Sequence, residues 1–167
     1  MKRTSRILTL ILALAVIACA IVCVSAMAED NAPKLGEANL VYSSDLMIAF
    51  TIEGGADGEY GLAMVDGEGN VIYADYTAET IGEGENAKDF YTSYGIAMKD
   101  YDTIYRFAVV DAEGKIVSEI TEYSVKAYAE AKLADPDITP AQKDLYNKLL
   151  NYGAAVDAVV NAKTDAE

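Results

Sequence analysis

Four carboxylates recur at a fixed interval: Asp66 and Glu68, then Asp111 and Glu113, each 45 residues further along. Acids so placed could ligate a cation. The recurrence is wider than the acids, however, because six of the thirteen residues 60–72 are identical to their counterparts in 105–117, including Gly69 and Gly114. Turn chemistry accounts for that pattern. Asp at the first position of a type I turn accepts bonds from backbone N–H groups just ahead of it, and a glycine three residues on supplies the positive φ that returns the chain to a second strand. A calcium loop needs more in-line oxygen ligands than either stretch offers. Residues 66–69 and 111–114 are therefore expected to be the turns of two equivalent β-hairpins packed face to face.

Other chemistries are bounded by what is missing. The chain has no His, and its two cysteines, Cys19 and Cys23, both lie near the N-terminus. The usual catalytic triads, thiol nucleophiles and His- or Cys-based zinc sites are excluded on that composition once those cysteines are removed. No phosphate-cradling glycine loop is present, no cofactor is expected and no catalytic or metal-binding residue is assigned. Two acids could hydrolyse a glycoside, but 27 Asp and Glu without a pattern single out no pair. Twelve tyrosines remain. Their rings can stack on sugars or anchor a protein interface. Tyr42, Tyr60, Tyr73 and Tyr105 fall on strand positions and are expected to pack across strands, while Tyr128, Tyr146 and Tyr152 lie near a helical stripe. Tyr76, Tyr91, Tyr94 and Tyr101 flank loops and are the candidate ligand-binding residues. The absence of Trp weakens the carbohydrate case.

The N-terminus dictates the compartment. Lys2, Arg3 and Arg6 precede an uncharged apolar run over residues 7–24, and Ala26 and Ala28 bracket Met27 in a small-x-small pattern. Such a layout is a secretory signal, residues 1–28, cut after Ala28. Two rivals remain: the run is nearly long enough to be retained as an anchor, and residues 16–19 resemble the site at which bacterial lipoproteins are acylated, here on Cys19. The product from Glu29 onward is cysteine-free and carries 10 basic against 27 acidic residues, a charge of −17. Such a field repels phosphate backbones, so nucleic acid is not an expected partner.

These residues need a scaffold, and the chain from 29 to 122 reads as β structure. Leu46, Ile48, Phe50 and Ile52 alternate with Met47, Ala49 and Thr51, the period of a strand with one face on a core. A shorter strand is expected over 39–42, with a turn at Ser43, Ser44 and Asp45. Counting on gives about seven strands, near 39, 46, 60, 70, 90, 104 and 115, with 77–88 an exposed loop. Short strands with regular turns indicate a two-sheet sandwich of immunoglobulin or fibronectin type, a half-open barrel being the competitor.

From 123 the character changes. Residues 124–134 are rich in helix formers, and Asp135, Pro136 and Asp137 end that helix. Thr139, Pro140 and Gln142 then form a start signal: N-cap, first-turn proline, and an amide that reaches back to the cap. Leu145, Leu149, Tyr152, Val156 and Val159 follow in alternating steps of four and three. The short link predicts an antiparallel helical hairpin, 123–167, packed on the same domain. Gly153 interrupts the second helix at a cost of roughly 1 kcal/mol, as a close approach by Ala127 or Ala131 of the first helix would require.

The segments 123–129, YSVKAYA, and 149–155, LLNYGAA, resemble the tail of uncharacterised secreted proteins of Gram-positive gut anaerobes, chiefly Clostridia. The stretch from Tyr105 to Val125 is similar to what precedes that tail in them, and the match departs at Val156 and Asp157, where such tails more often continue with Ala and Gln. The resemblance implies an extracellular or cell-surface setting and carries no activity. Three readings follow: a secreted, non-catalytic interaction module binding a protein or a second copy of itself; an extracellular carbohydrate-binding domain; and a carboxylate-dependent glycoside hydrolase. Membrane association would come only from an uncleaved leader or a lipid on Cys19.

Overall fold

A computed structural model describes residues 31–42, 45–55 and 58–164. The expected signal, its cleavage site, Cys19, and Ser43 and Ser44 of the first turn lie outside these. Two units are distinguished: residues 1–32 with 54–56, and residues 33–53 with 57–167. Of the first, only a short stretch is described, in which Gly55 N–H donates to the Asn31 carbonyl at 2.9 Å. All that follows concerns the second.

That unit is mainly β, with two antiparallel four-stranded sheets and a C-terminal helical region. The strands are β1 (Lys34–Tyr42), β2 (Leu46–Glu53), β3 (Tyr60–Val65), β4 (Val71–Asp75), β5 (Glu79–Ile81), β6 (Lys88–Thr92), β7 (Tyr105–Asp111) and β8 (Thr121–Tyr123). One sheet runs β1-β2-β6-β5 and the other β4-β3-β7-β8. The alternation in β2 does what its period requires, placing Leu46, Ile48 and Phe50 in the core. There Phe50 meets Phe107 of the other sheet with ring centroids 5.1 Å apart, and Leu62 and Met64 complete the layer. A polar tie joins the sheets at one end, where Asp75 of β4 accepts from the Thr92 N–H of β6 at 2.8 Å. The arrangement is consistent with a sandwich.

Several elements differ from the sequence reading. The two repeats do not pack face to face; β3 and β7 are neighbours in a single sheet. Their register places Ala63 opposite Ala108, which are equivalent residues of the repeat, so a local two-fold relates the hairpins and sends their turns to opposite ends of the sheet. The strand expected near 115 is reduced to one bridge, Val110 to Ile116, and regular pairing resumes only at β8. The loop 77–88 is exposed but holds β5 and a short 3-10 turn, Gly84–Asn86. β1 begins five residues early because a bulge absorbs the residues that break its pattern: Glu37 N–H donates to Thr51 Oγ1 at 2.8 Å, and side-chain-free Gly36 leaves room for that hydroxyl.

Both pleated ladders are released by the same device. Where β6 leaves β2, buried Ser93 accepts the Ile48 N–H on its Oγ at 3.0 Å and donates to the next carbonyl, Tyr94, at 2.8 Å. Ser118 does likewise beside β7, accepting from Val109 N–H at 2.8 Å and donating to the Glu119 carbonyl at 2.8 Å.

Helix α1 (Val125–Leu133) is capped by Ser124, whose Oγ accepts from Ala127 N–H at 3.0 Å, and it buries Val125, Tyr128 and Ala129. Helix α2 (Pro140–Thr164) starts as its sequence requires. Thr139 N–H donates to Gln142 Oε1 at 3.0 Å, and Gln142 N–H returns a bond to Thr139 Oγ1 at 3.3 Å. The helices meet at Tyr128 and Tyr146, with ring centroids 5.8 Å apart. Tyr128 also donates to Asn39 Oδ1 of β1 at 3.1 Å, and burial pushes its phenol well above the ordinary value, Tyr146 adding to the shift.

Candidate functional site

The acidic repeats form turns. Asp66 Oδ1 accepts from the N–H groups of Glu68 (2.9 Å) and Asn70 (2.8 Å), and Asp111 Oδ1 accepts from those of Glu113 (3.1 Å) and Lys115 (2.9 Å). Gly69 and Gly114 take φ of 93° and 78°. The side-chain bond from Asn70 leads in holding the Asp66 carboxyl below its usual range. Among the described residues no group of three or more Asp, Glu, His or Cys is placed to hold a metal.

The first carbonyl of each turn is latched, by unlike partners. Arg106 reaches back to the Asp66 carbonyl with its guanidinium. At the related position the repeat has Gly61, and Tyr76 takes over: its ring crosses Gly61, and its hydroxyl donates to the Asp111 carbonyl at 3.0 Å. A Cβ on Gly61 would come within 2.7 Å of that ring. Glycine is needed here for space.

The four nominated tyrosines part company. Tyr101 is buried, which removes it from any exposed binding face; it lies against α2 under Gly153. The three atoms nearest to a Cβ built on Gly153 all belong to Tyr101, where Ala127 or Ala131 of α1 was expected. Tyr94 stands edge-on between Tyr73 and Tyr105, centroids 5.7 and 6.2 Å away. Burial raises the phenols of both those neighbours. Tyr42, expected to pack across strands, is 79% exposed at the end of β1.

Tyr76 and Tyr91 do converge, together with Tyr60, around a cleft of about 540 Å³ that is also lined by Gly58, Glu59 and Ala112. Four elements build it: the start of β3, the residue after β4, the middle of β6 and the turn after β7. Sequence reasoning assigned Tyr60 to packing and passed over Glu59. The one signal for them was their position directly after the glycine-rich stretch 54–58.

A second surface lies on α2. Leu145, Tyr152 and Val159, seven residues apart, are 59%, 60% and 58% exposed, whereas Leu149 and Leu150 pack against the core. Tyr42 and Tyr152 flank a hollow of about 440 Å³ walled mainly by Leu46, Ile96, Ala97, Met98 and Leu149, with Asp45 also lining it.

No protein-family model, no curated protein and no solved structure matches the chain.

The geometry alone therefore ranks these surfaces. The tyrosine cleft combines rings, a carboxylate and backbone, and can bind; the α2 flank offers apolar side chains in a row, and can dock. No helix among the described residues is long and apolar enough to cross a membrane.

Proposed function

We propose that this chain is a secreted, non-catalytic interaction module that docks on a partner protein through the outer flank of α2. The carrying observation is the row Leu145, Tyr152 and Val159, continued by Tyr42 across the hollow beside it. A helix normally turns its apolar stripe to its own core. Here half the stripe does so through Leu149 and Leu150, and half faces water, where contiguous apolar surface marks an interaction site. A net charge of −17 after residue 28 disfavours a second copy as the occupant, so the partner is a less acidic protein.

The finer architecture belongs to the same reading. We take the two sheets as an immunoglobulin- or fibronectin-type sandwich shut at one end by an antiparallel helical hairpin, which leaves α2 as the outermost layer. Release by cleavage after Ala28 would present that layer outside the cell, as the likeness of the C-terminal tail to Clostridial secreted proteins also suggests; retention of the leader or acylation at Cys19 would present it at the surface.

Expression with the leader in a Gram-positive host should yield, in the medium, a species whose mass begins at Glu29. A photo-crosslinker at position 152, exposed to the native culture medium and wall fraction, should give one discrete adduct that Leu145→Lys abolishes. Retention inside the cell would refute the compartment; no adduct, or one indifferent to Leu145→Lys, would refute the docking face. A chain-to-chain adduct would replace the partner protein by self-association.

A further inference from the structure

We propose that the cleft between Tyr60, Tyr76 and Tyr91 binds a neutral saccharide. The cleft is held open in advance of any ligand. Asp75, immediately before Tyr76, accepts from the N–H and hydroxyl of Thr92, immediately after Tyr91, at 2.8 and 3.2 Å. One carboxylate thereby sets the spacing of two rings that belong to different sheets. Tyr76 is fixed further by the Asp111 carbonyl at its hydroxyl and by Gly61 beneath its ring, yet 45% of it faces solvent. A ring immobilised on one side and free on the other loses little entropy when a ligand stacks on it.

The chemistry of the walls selects the ligand. A pyranose presents C–H groups to an aromatic face and hydroxyls around its rim, matching an amphipathic tyrosine that is apolar across the ring and polar at its tip. Three such rings surround about 540 Å³, within the range of small-ligand pockets. Glu59 at the mouth can accept from two neighbouring hydroxyls at once. The same carboxylate, in a chain of net charge −14, turns away sulfated, phosphorylated and uronic sugars. Among the described residues lining this cleft Glu59 is the sole acid, and these residues supply no second carboxylate to pair with it for glycoside hydrolysis. The cleft is separate from the α2 flank and stands independently of the docking reading.

The protein as purified from its host should be titrated by calorimetry with cellohexaose, xylohexaose, mannohexaose and maltohexaose, with oligogalacturonate as the anionic control. At least one neutral series should bind at ligand concentrations up to about 10 mM, and oligogalacturonate should not. Tyr91→Ala should weaken that binding at least about tenfold, roughly 1.4 kcal/mol. Because Tyr91 also touches the core, Glu59→Gln is the companion variant: its side chain is exposed, so the melting temperature should hold while affinity falls several-fold. Leu145→Lys should leave sugar binding unchanged. The proposal is overturned if no neutral hexasaccharide binds, if only the anionic oligomer does, or if binding survives both Tyr91→Ala and Glu59→Gln.

Discussion

The ring of Tyr101 packs so closely against Gly153 that a Cβ on the glycine would fall 2.5 Å from Tyr101 Cδ2. Two effects on a Gly153→Ala variant then oppose each other. Helix propensity favours Ala by roughly 1 kcal/mol, while overpacking against a buried ring costs about 1–3 kcal/mol. The contact should win, since Tyr101 is held by α1 through its carbonyl, which accepts from Lys126 N–H at 2.9 Å. Thermal unfolding should show a lower Tm for Gly153→Ala; a higher Tm would mean that the ring can move aside at no cost.

Gly61 and Tyr76 form a second such pair. Gly61→Ala should cost about 1–3 kcal/mol, because the new methyl group meets the ring and also the Asp75 carbonyl, 2.6 Å away. Removing the ring in Gly61→Ala/Tyr76→Ala relieves one of these clashes. In urea unfolding the double variant should therefore lose less than the sum of the single losses; strict additivity would show that the ring does not rest on the glycine.

Ser93 and Ser118 make the same bonds in different surroundings, which separates the bond from its burial. Ser93→Ala leaves the buried Ile48 N–H without an acceptor, a loss of about 1–3 kcal/mol. Ser118 is partly exposed, so water can replace its hydroxyl and Ser118→Ala should cost less. Equal losses in chemical denaturation would contradict this.

Tyr128 predicts the alkaline limit. Its folded-state pKa lies above the ordinary 10, so the folded protein holds this proton more tightly than the unfolded chain. That contribution to stability is complete below pH 10 and is lost as pH rises towards the folded value. Tyr128→Phe should be less stable at neutral pH by about 1 kcal/mol, through the lost bond to Asn39. Its stability should also fall less steeply above pH 10. A Tyr128→Phe profile parallel to that of the parent would remove Tyr128 from the account.

What could be read directly were features whose partners lie within a few residues of each other. Asp66 and its turn N–H groups, Thr139 and Gln142, and the alternation of Leu46, Ile48 and Phe50 are all of this kind, because local hydrogen bonds and side-chain periodicity are written in consecutive residues. Two of the three cleft tyrosines, Tyr76 and Tyr91, were also legible, since both flank loops.

Distant pairing was not. The repeat of 60–72 in 105–117 revealed two like hairpins, yet whether they would lie face to face or side by side depended on how Ala63 and Ala108 compare with other partners across an intervening stretch that itself holds β4, β5 and β6. The burial of Tyr101, the addition of Tyr60 and Glu59 to the cleft and the outward half of the α2 stripe were settled in the same way. The sequence alone determined the turns, caps and strand periods, whose energies are local; the tertiary structure decided which surfaces meet, because each such contact competes with every alternative packing of the whole chain.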